Sequence, residues 1–196
     1  MNTLCDGILS GDILVDCTNP MVSGLEVNVL LVNHGDLDKV ASTFSVTNPT
    51  QLTNLQLKSG KTGFLLEGVK QINQLSFELV QKETSRDAFK HMFSGMIFSL
   101  SADNKAKMYD MVGGLFAVVV ELKWKGALSV DAFQIGGFDR GLRLTALKWS
   151  SKENDANVTF ELSSEEGGEE PRPILSILET SYALTATAFG NKFVQV

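Results

Sequence analysis

The sequence predicts a mainly β protein: an antiparallel β-sandwich or barrel with one or two short helices packed on it. Three observations carry that expectation. Apolar and polar residues alternate at period two, as in Val158, Phe160 and Leu162 against Thr159 and Glu161. Turn-forming glycines punctuate the chain at Gly60, Gly63, Gly126, Gly136, Gly137 and Gly141. Strand and helix patterns do not alternate, which argues against a parallel α/β sheet.

Taken in order, the N-terminal segment is broken into short extended pieces by Gly7, Gly11, Asn19-Pro20 and Gly24. Leu25 to Asn33 is the first strand, with Leu25, Val27, Val29 and Leu31 on one face and Glu26 and Asn28 opposite. His34-Gly35-Asp36 closes it. Residues 41 to 60, rich in Ser, Thr, Asn and Gln, read as a polar, partly ordered excursion with a candidate strand at Gln51 to Lys58. Gly60 to Gly63 forms a hairpin tip, and strands follow at Phe64 to Glu67 and Gln71 to Lys82. In the latter, Leu75, Phe77 and Leu79 share a face. Phe89, Met92, Phe93 and Met96 recur at spacings of three and four, which predicts a helical turn or two.

Ser101 to Val112 is the best helix candidate. Ser101 can cap it, Asp103 suits its positive end, Met108, Met111 and Val112 can face inward, and Gly113-Gly114 stops it. Leu115 to Trp124 is a long strand, apolar on both faces from Phe116 to Val120 and therefore central. Leu128 to Ile135, Leu142 to Trp149 and Val158 to Leu162 continue the sheet, with Ser150 to Asn154 a polar loop. Glu165 to Pro173 is an acidic Gly/Pro loop without a core-forming residue, expected to be exposed and mobile. Ile174 to Leu178 is apolar again, and Tyr182 to Val196 reads as a last strand or an arm.

A chain of 196 residues without repeat or linker is expected to be one structural domain, residues 1–196. It carries an extended N-terminal segment and mobile loops near 41–60 and 164–173. The net charge of −6 argues against a surface that grips nucleic-acid phosphates, yet a carboxylate-lined wall would let DNA slide past. Met1 to Asp16 holds Asp6, Asp12 and Asp16 and no basic residue, so no signal peptide is read. The longest apolar run, Leu115 to Val120, is strand-length and gives no membrane anchor. Synthesis in a cytoplasm is therefore expected. Cys5 and Cys17 leave two readings open: two small apolar side chains packed under a turn, or a bridge in an oxidising compartment.

Catalytic, cofactor and metal residues are not found. His34 and His91 lie in no metal spacing, and no Gly-x-Ser-x-Gly elbow exists. Ser59-Gly60-Lys61-Thr62 resembles the end of a phosphate loop, but Leu55 stands where the first glycine is needed. Gly136 to Gly141 precedes a strand, whereas a dinucleotide fingerprint opens a helix. An enzyme is not expected.

From Met108 to Pro173 the order of parts resembles tail-tube and tail-ring virion proteins of tailed bacteriophages. The resemblance rests on the helix ended by Gly-Gly and on LFAVVVELKWKG, Leu115 to Gly126. It continues through AFQIGGFDRGLRLTAL, Ala132 to Leu147, and ANVTFELSSEEGGEEPRP, Ala156 to Pro173. Cys5 and Cys17 around a short extended segment are similar too. The polar segment 41–60 and Trp149 to Asn154 depart from that pattern.

The resemblance implies a β-sandwich or barrel joined edge to edge with copies of itself in a ring or tube. That assembly would sit in a virion tail, beside other tail or connector proteins, with viral DNA passing through unread. Exposed strand edges suit such docking. The candidate assembly contacts are Gly136, Gly137, Asp139 and Arg140 in the turn, and Glu165, Glu166, Glu169 and Glu170 in the acidic loop. The alternative is a β-sandwich capsid decoration or fibre-adaptor module.

Overall fold

A computed structural model describes Leu9, residues 11–69 and residues 72–194. Cys17 is exposed, while Cys5 lies outside the described residues, and with it the pairing question. The strands are β1 (Leu25–Asn33), β2 (Thr43–Phe44), β3 (Gln51–Asn54), β4 (Phe64–Leu66), β5 (Gln74–Val80) and β6 (Ala88–Ile97). After helix α1 (Ala102–Asp110) come β7 (Leu115–Leu122), β8 (Phe133–Gly136), β9 (Leu142–Trp149), β10 (Val158–Ser163) and β11 (Leu175–Ile177). Helix α2 (Tyr182–Gly190) is the last element.

The mainly β expectation holds, with two refinements. The strands form one 11-stranded sheet in the order β2-β3-β11-β8-β7-β9-β10-β6-β5, with β4 and β1 branching from β7, so the sheet stays open and closes no barrel. It is also mixed, because β3 and β11 pair in parallel.

β7 is central for the reason its sequence gives: both of its faces are apolar. Ala117 and Val119 point into one core with Leu30, Val32, Phe133, Ile135 and Ile177. Phe116, Val118 and Val120 point into a second core with Val29, Phe93, Phe160 and Leu162. A strand that serves two cores cannot carry a polar face, so residues 116–120 are wholly buried. β1 lies beside β7 and shares its two-sidedness. Its expected polar face is instead occupied by Leu30 and Val32, and a register shift between Leu25 and Val29 carries the strand past Val27 and Asn28.

Four expectations are corrected. The stretch around Phe89 to Met96 is strand β6, not helix. Its inward face alternates through His91, Phe93 and Gly95, and a histidine and a glycine hid the period. Gly95 is required there, since a Cβ would stand 2.8 Å from the Phe93 ring and 2.9 Å from that of Phe160. The polar, partly ordered excursion expected at 41–60 is anchored in the core: its candidate strand forms in part as β3, which pairs with β2 and β11, and Leu52, Leu55 and Leu57 are core residues. The C-terminal segment from Tyr182 is helix α2, capped by Ser181 and rich in strong helix-forming alanines. It lays Phe189 on Phe133 at 5.3 Å between ring centroids. Finally, the strand expected from Leu128 begins only at Phe133, after a short 3-10 turn at Ala127–Ser129.

Helix α1 falls where it was expected. The Ser101 hydroxyl accepts a bond from the Asn104 N–H at 3.2 Å, Met108 is buried, and Gly113 leaves the helix at φ +80. Val112, expected inward, is exposed.

Candidate assembly surfaces

The Gly136 to Gly141 turn is where the sheet forks. On the side away from β1, β7 pairs with β8 along Val118 to Glu121 and with β9 at Leu115 and Phe116. The chain therefore leaves one arm of the sheet at Gly136 and enters the other at Leu142. Gly137 has φ +75, and a Cβ there would meet the Phe116 carbonyl oxygen at 2.8 Å. Both the sign of φ and the close backbone demand glycine.

The second half of the acidic loop fills the wedge of that fork: Glu169 and Glu170 are buried, contrary to the expected exposure, whereas Glu165, Glu166 and Gly167 are exposed. Glu170 is 1% exposed. Its Oε2 accepts the Asp139 N–H at 2.8 Å, and its Oε1 accepts those of Arg140 at 2.8 Å and Gly141 at 3.0 Å. Its backbone pairs with Phe89 as an antiparallel bridge. Arg172 grips the Asp139 carboxylate with two nitrogens, Nη2 at 2.7 Å from Oδ1 and Nε at 3.1 Å from Oδ2, and stacks over Phe44 at 4.2 Å. His91 ties the two pieces together. Its Nε2 lies 2.9 Å from the Arg172 carbonyl oxygen, and its Nδ1 accepts the Gly137 N–H at 3.2 Å. These partners assign the neutral ring with its proton on Nε2.

The electrostatics follow from burial. Loss of solvent holds His91 down at about 4, in keeping with a neutral ring. Burial pushes the Glu170 carboxyl up, against the opposing pull of the N–H groups from Arg140, Asp139 and Gly141. Glu169 behaves oppositely: its hydrogen bond from the Lys82 ammonium, 2.6 Å away, holds it down at about 2.

The eight candidate contacts thus divide. Gly136, Gly137, Glu169 and Glu170 are buried within one copy, and Asp139 is half-buried under Arg172, so these five face their own chain. Arg140, Glu165 and Glu166 remain exposed. The turn and the acidic loop were both singled out by the sequence, and the structure shows that each is the other's partner.

The surfaces left open lie elsewhere. β5 ends the sheet: it pairs with β6 over seven uninterrupted residue pairs and has no neighbour on its far side among the described residues. It has no proline and no bulge, and it leaves Phe77 50% and Leu79 54% exposed. β4 is the second border, with Phe64 and Leu65 partly exposed beside a cleft of about 800 Å³. That cleft runs to Ile97, Met108, Met111 and Phe116. The third feature is the extended segment before β1, where Ile13, Leu14 and Val15 are more than four-fifths exposed.

Among the described residues no cluster of His, Cys, Asp and Glu could hold a metal ion, and no helix is long and apolar enough to cross a membrane. Comparison with protein families, curated proteins and solved structures finds no match.

Proposed function

We propose that this chain is a structural subunit whose work is to bind copies of itself through the unpaired borders of its sheet. One observation carries the reading: β5 is a seven-residue border strand whose one protection is the single charge of Glu78. Monomeric proteins blunt such borders with short strands, prolines, bulges or charged side chains, lysines above all. β2 and β4 are short, at two and three residues, but β5 runs for seven with apolar side chains showing. A neighbour's strand laid along it would satisfy the free N–H and C=O groups and cover Phe77 and Leu79.

The sequence resemblance to tail-tube and tail-ring proteins supplies the setting we favour, a ring or tube in the tail of a tailed phage that conducts DNA. The net charge of −6 supports a conduit wall that repels rather than retains phosphate. A head-to-tail contact between unlike surfaces closes into a ring or extends into a tube, depending on the rotation it imposes.

The test is sedimentation velocity over a wide concentration range, for the native chain and for Leu79→Lys. The native chain is expected to associate with rising concentration, and the lysine variant to stay monomeric with unchanged circular dichroism. Equal association of the two would remove β5 from the interface.

A further inference from the structure

We infer that β5 pairs with the β5 of a second copy, antiparallel and about a two-fold axis at Phe77. The inference rests on the self-association proposed above and names the strand, direction and register of that contact.

Length selects the occupant. The β5 border runs for seven residues, and a strand added to it gains one cross-strand pair for each residue it matches. The other borders, β2 and β4, offer two and three residues. Among the described border strands, only β5 itself matches β5 from end to end. The same seven residues on both sides make the contact self-complementary, as a two-fold axis requires. Such a pair closes on itself, so a ring or tube grows from these dimers through other, unlike surfaces.

The faces select the direction. Leu75, Phe77 and Leu79 stand opposite Phe93, His91 and Phe89 of β6, so the three share the core-facing side of the sheet. Leu75 packs against the second core. Phe77 meets the Phe89 and His91 rings edge-on, at 5.9 and 6.4 Å between centroids. Phe77 and Leu79 still stay half exposed, because the sheet ends at β5. They are covered once a further strand brings apolar side chains to the same side. A two-fold axis perpendicular to the sheet does this, since it reverses the strand and keeps its face. An axis along the strands makes the pair parallel and turns the other face of the second copy, with Ser76 and Glu78, to the core side.

Pattern and charge select the register. Directly opposite residues of an antiparallel pair share a face, so under this axis one residue must stand opposite its own copy. Phe77 is the midpoint of Gln74–Val80, and a centre there leaves no residue of the strand unpaired. It sets Phe77 against Phe77, an aromatic cross-strand pair, and Leu75 against Leu79. Glu78 then falls opposite Ser76 and keeps the Lys90 ammonium of its own chain 3.8 Å away. A centre at Glu78 sets two carboxylates against each other, which destabilises a sheet pair. A centre at Ser76 sets Leu79 against the amide of Asn73 and carries Val80 past the end of the strand.

The experiment places single cysteines in the full-length chain carrying Cys5→Ser and Cys17→Ser, and oxidises each variant at a concentration where that parent associates. Circular dichroism checks folding, and mass spectrometry identifies the bonds formed. Opposite residues of an antiparallel pair lie about 4.5–5.5 Å apart at Cα, within the span of a disulfide. Leu79 and its copy, four residues out of register, would stand roughly 13 Å or more apart. Phe77→Cys is therefore expected to form covalent dimer at roughly tenfold or more the yield of Leu79→Cys. A mixture of Gln74→Cys and Val80→Cys should give the mixed dimer in preference to either like one. Equal yields at 77 and 79, or no preference for the mixed dimer, would overturn the inference. If Leu79→Lys is monomeric in the same conditions, the β5 reading is left standing. A parent chain that stays monomeric, or whose association Leu79→Lys leaves unchanged, overturns both.

Discussion

Both oxygens of Glu170 accept backbone N–H groups at the fork, so this one side chain satisfies three consecutive donors of a tight turn. Glu170→Ala would strand three donors in a dry site, and an unsatisfied buried donor costs on the order of 1–3 kcal/mol. We expect a loss of about 3 kcal/mol or more by urea denaturation. Glu170→Gln should lose less, since one oxygen still accepts, but its amide then faces an N–H. His91 sets the acid limit. Its native value of about 4 lies below the usual 6.5, so the unfolded chain binds the proton first as pH falls. The His91 contribution is complete above pH 6.5 and is lost as pH drops toward 4, an effect on the order of 3 kcal/mol. Glu169, held at about 2, adds a loss below its ordinary 4.5, whereas the raised Glu170 works the other way in acid. His91→Gln cannot titrate and should flatten the stability profile between pH 6.5 and 4. An unchanged slope in that window would move the effect to another group. None of this network was legible in the sequence. The turn and the loop stood out as unusual, but the contact joins residues about 30 apart, and no local pattern records which carboxylate meets which amide. The two glutamates looked like solvated surface because their partners are backbone groups and a distant Lys82.

At the scale of elements, the strands with clean alternation or doubled apolar faces were legible: β1, β7, β9 and β10 lie where the pattern put them. α1 was legible through its cap, and Ser101→Ala should cost about 1 kcal/mol of thermal stability with the sheet unaltered. β6 was not legible, because His91 and Gly95 occupy inward positions that an apolar pattern needs filled. α2 was not legible either, since residues 182–190 are apolar all round and show neither period. The acidic loop behaves as an element of the fold rather than a tether. An exposed loop could be deleted from Glu165 to Glu170 without cost to the fold. With Glu169 on Lys82 and Glu170 at the fork, the deletion should instead destabilise the domain, seen as a lower melting temperature before any change in association is measured.

For the whole molecule, β7 divides the protein into two cores, and the fork at Gly137 lets one strand edge feed two arms of sheet. That design stabilises the centre and leaves the outermost strands bare. The mainly β class followed from the period and the turns. The open, forked outline did not, because it depends on two strands, β8 and β9, sharing one edge of β7. An open sheet with β5 uncovered is the basis of the central claim that identical copies complete one another. The most direct measurement is hydrogen exchange of the β5 amides, read at low and high protein concentration. Completion by a neighbour predicts that Gln74 to Val80 gains protection as concentration rises, while the buried β7 amides stay protected throughout. Exchange in β5 that is the same at every concentration would contradict the claim.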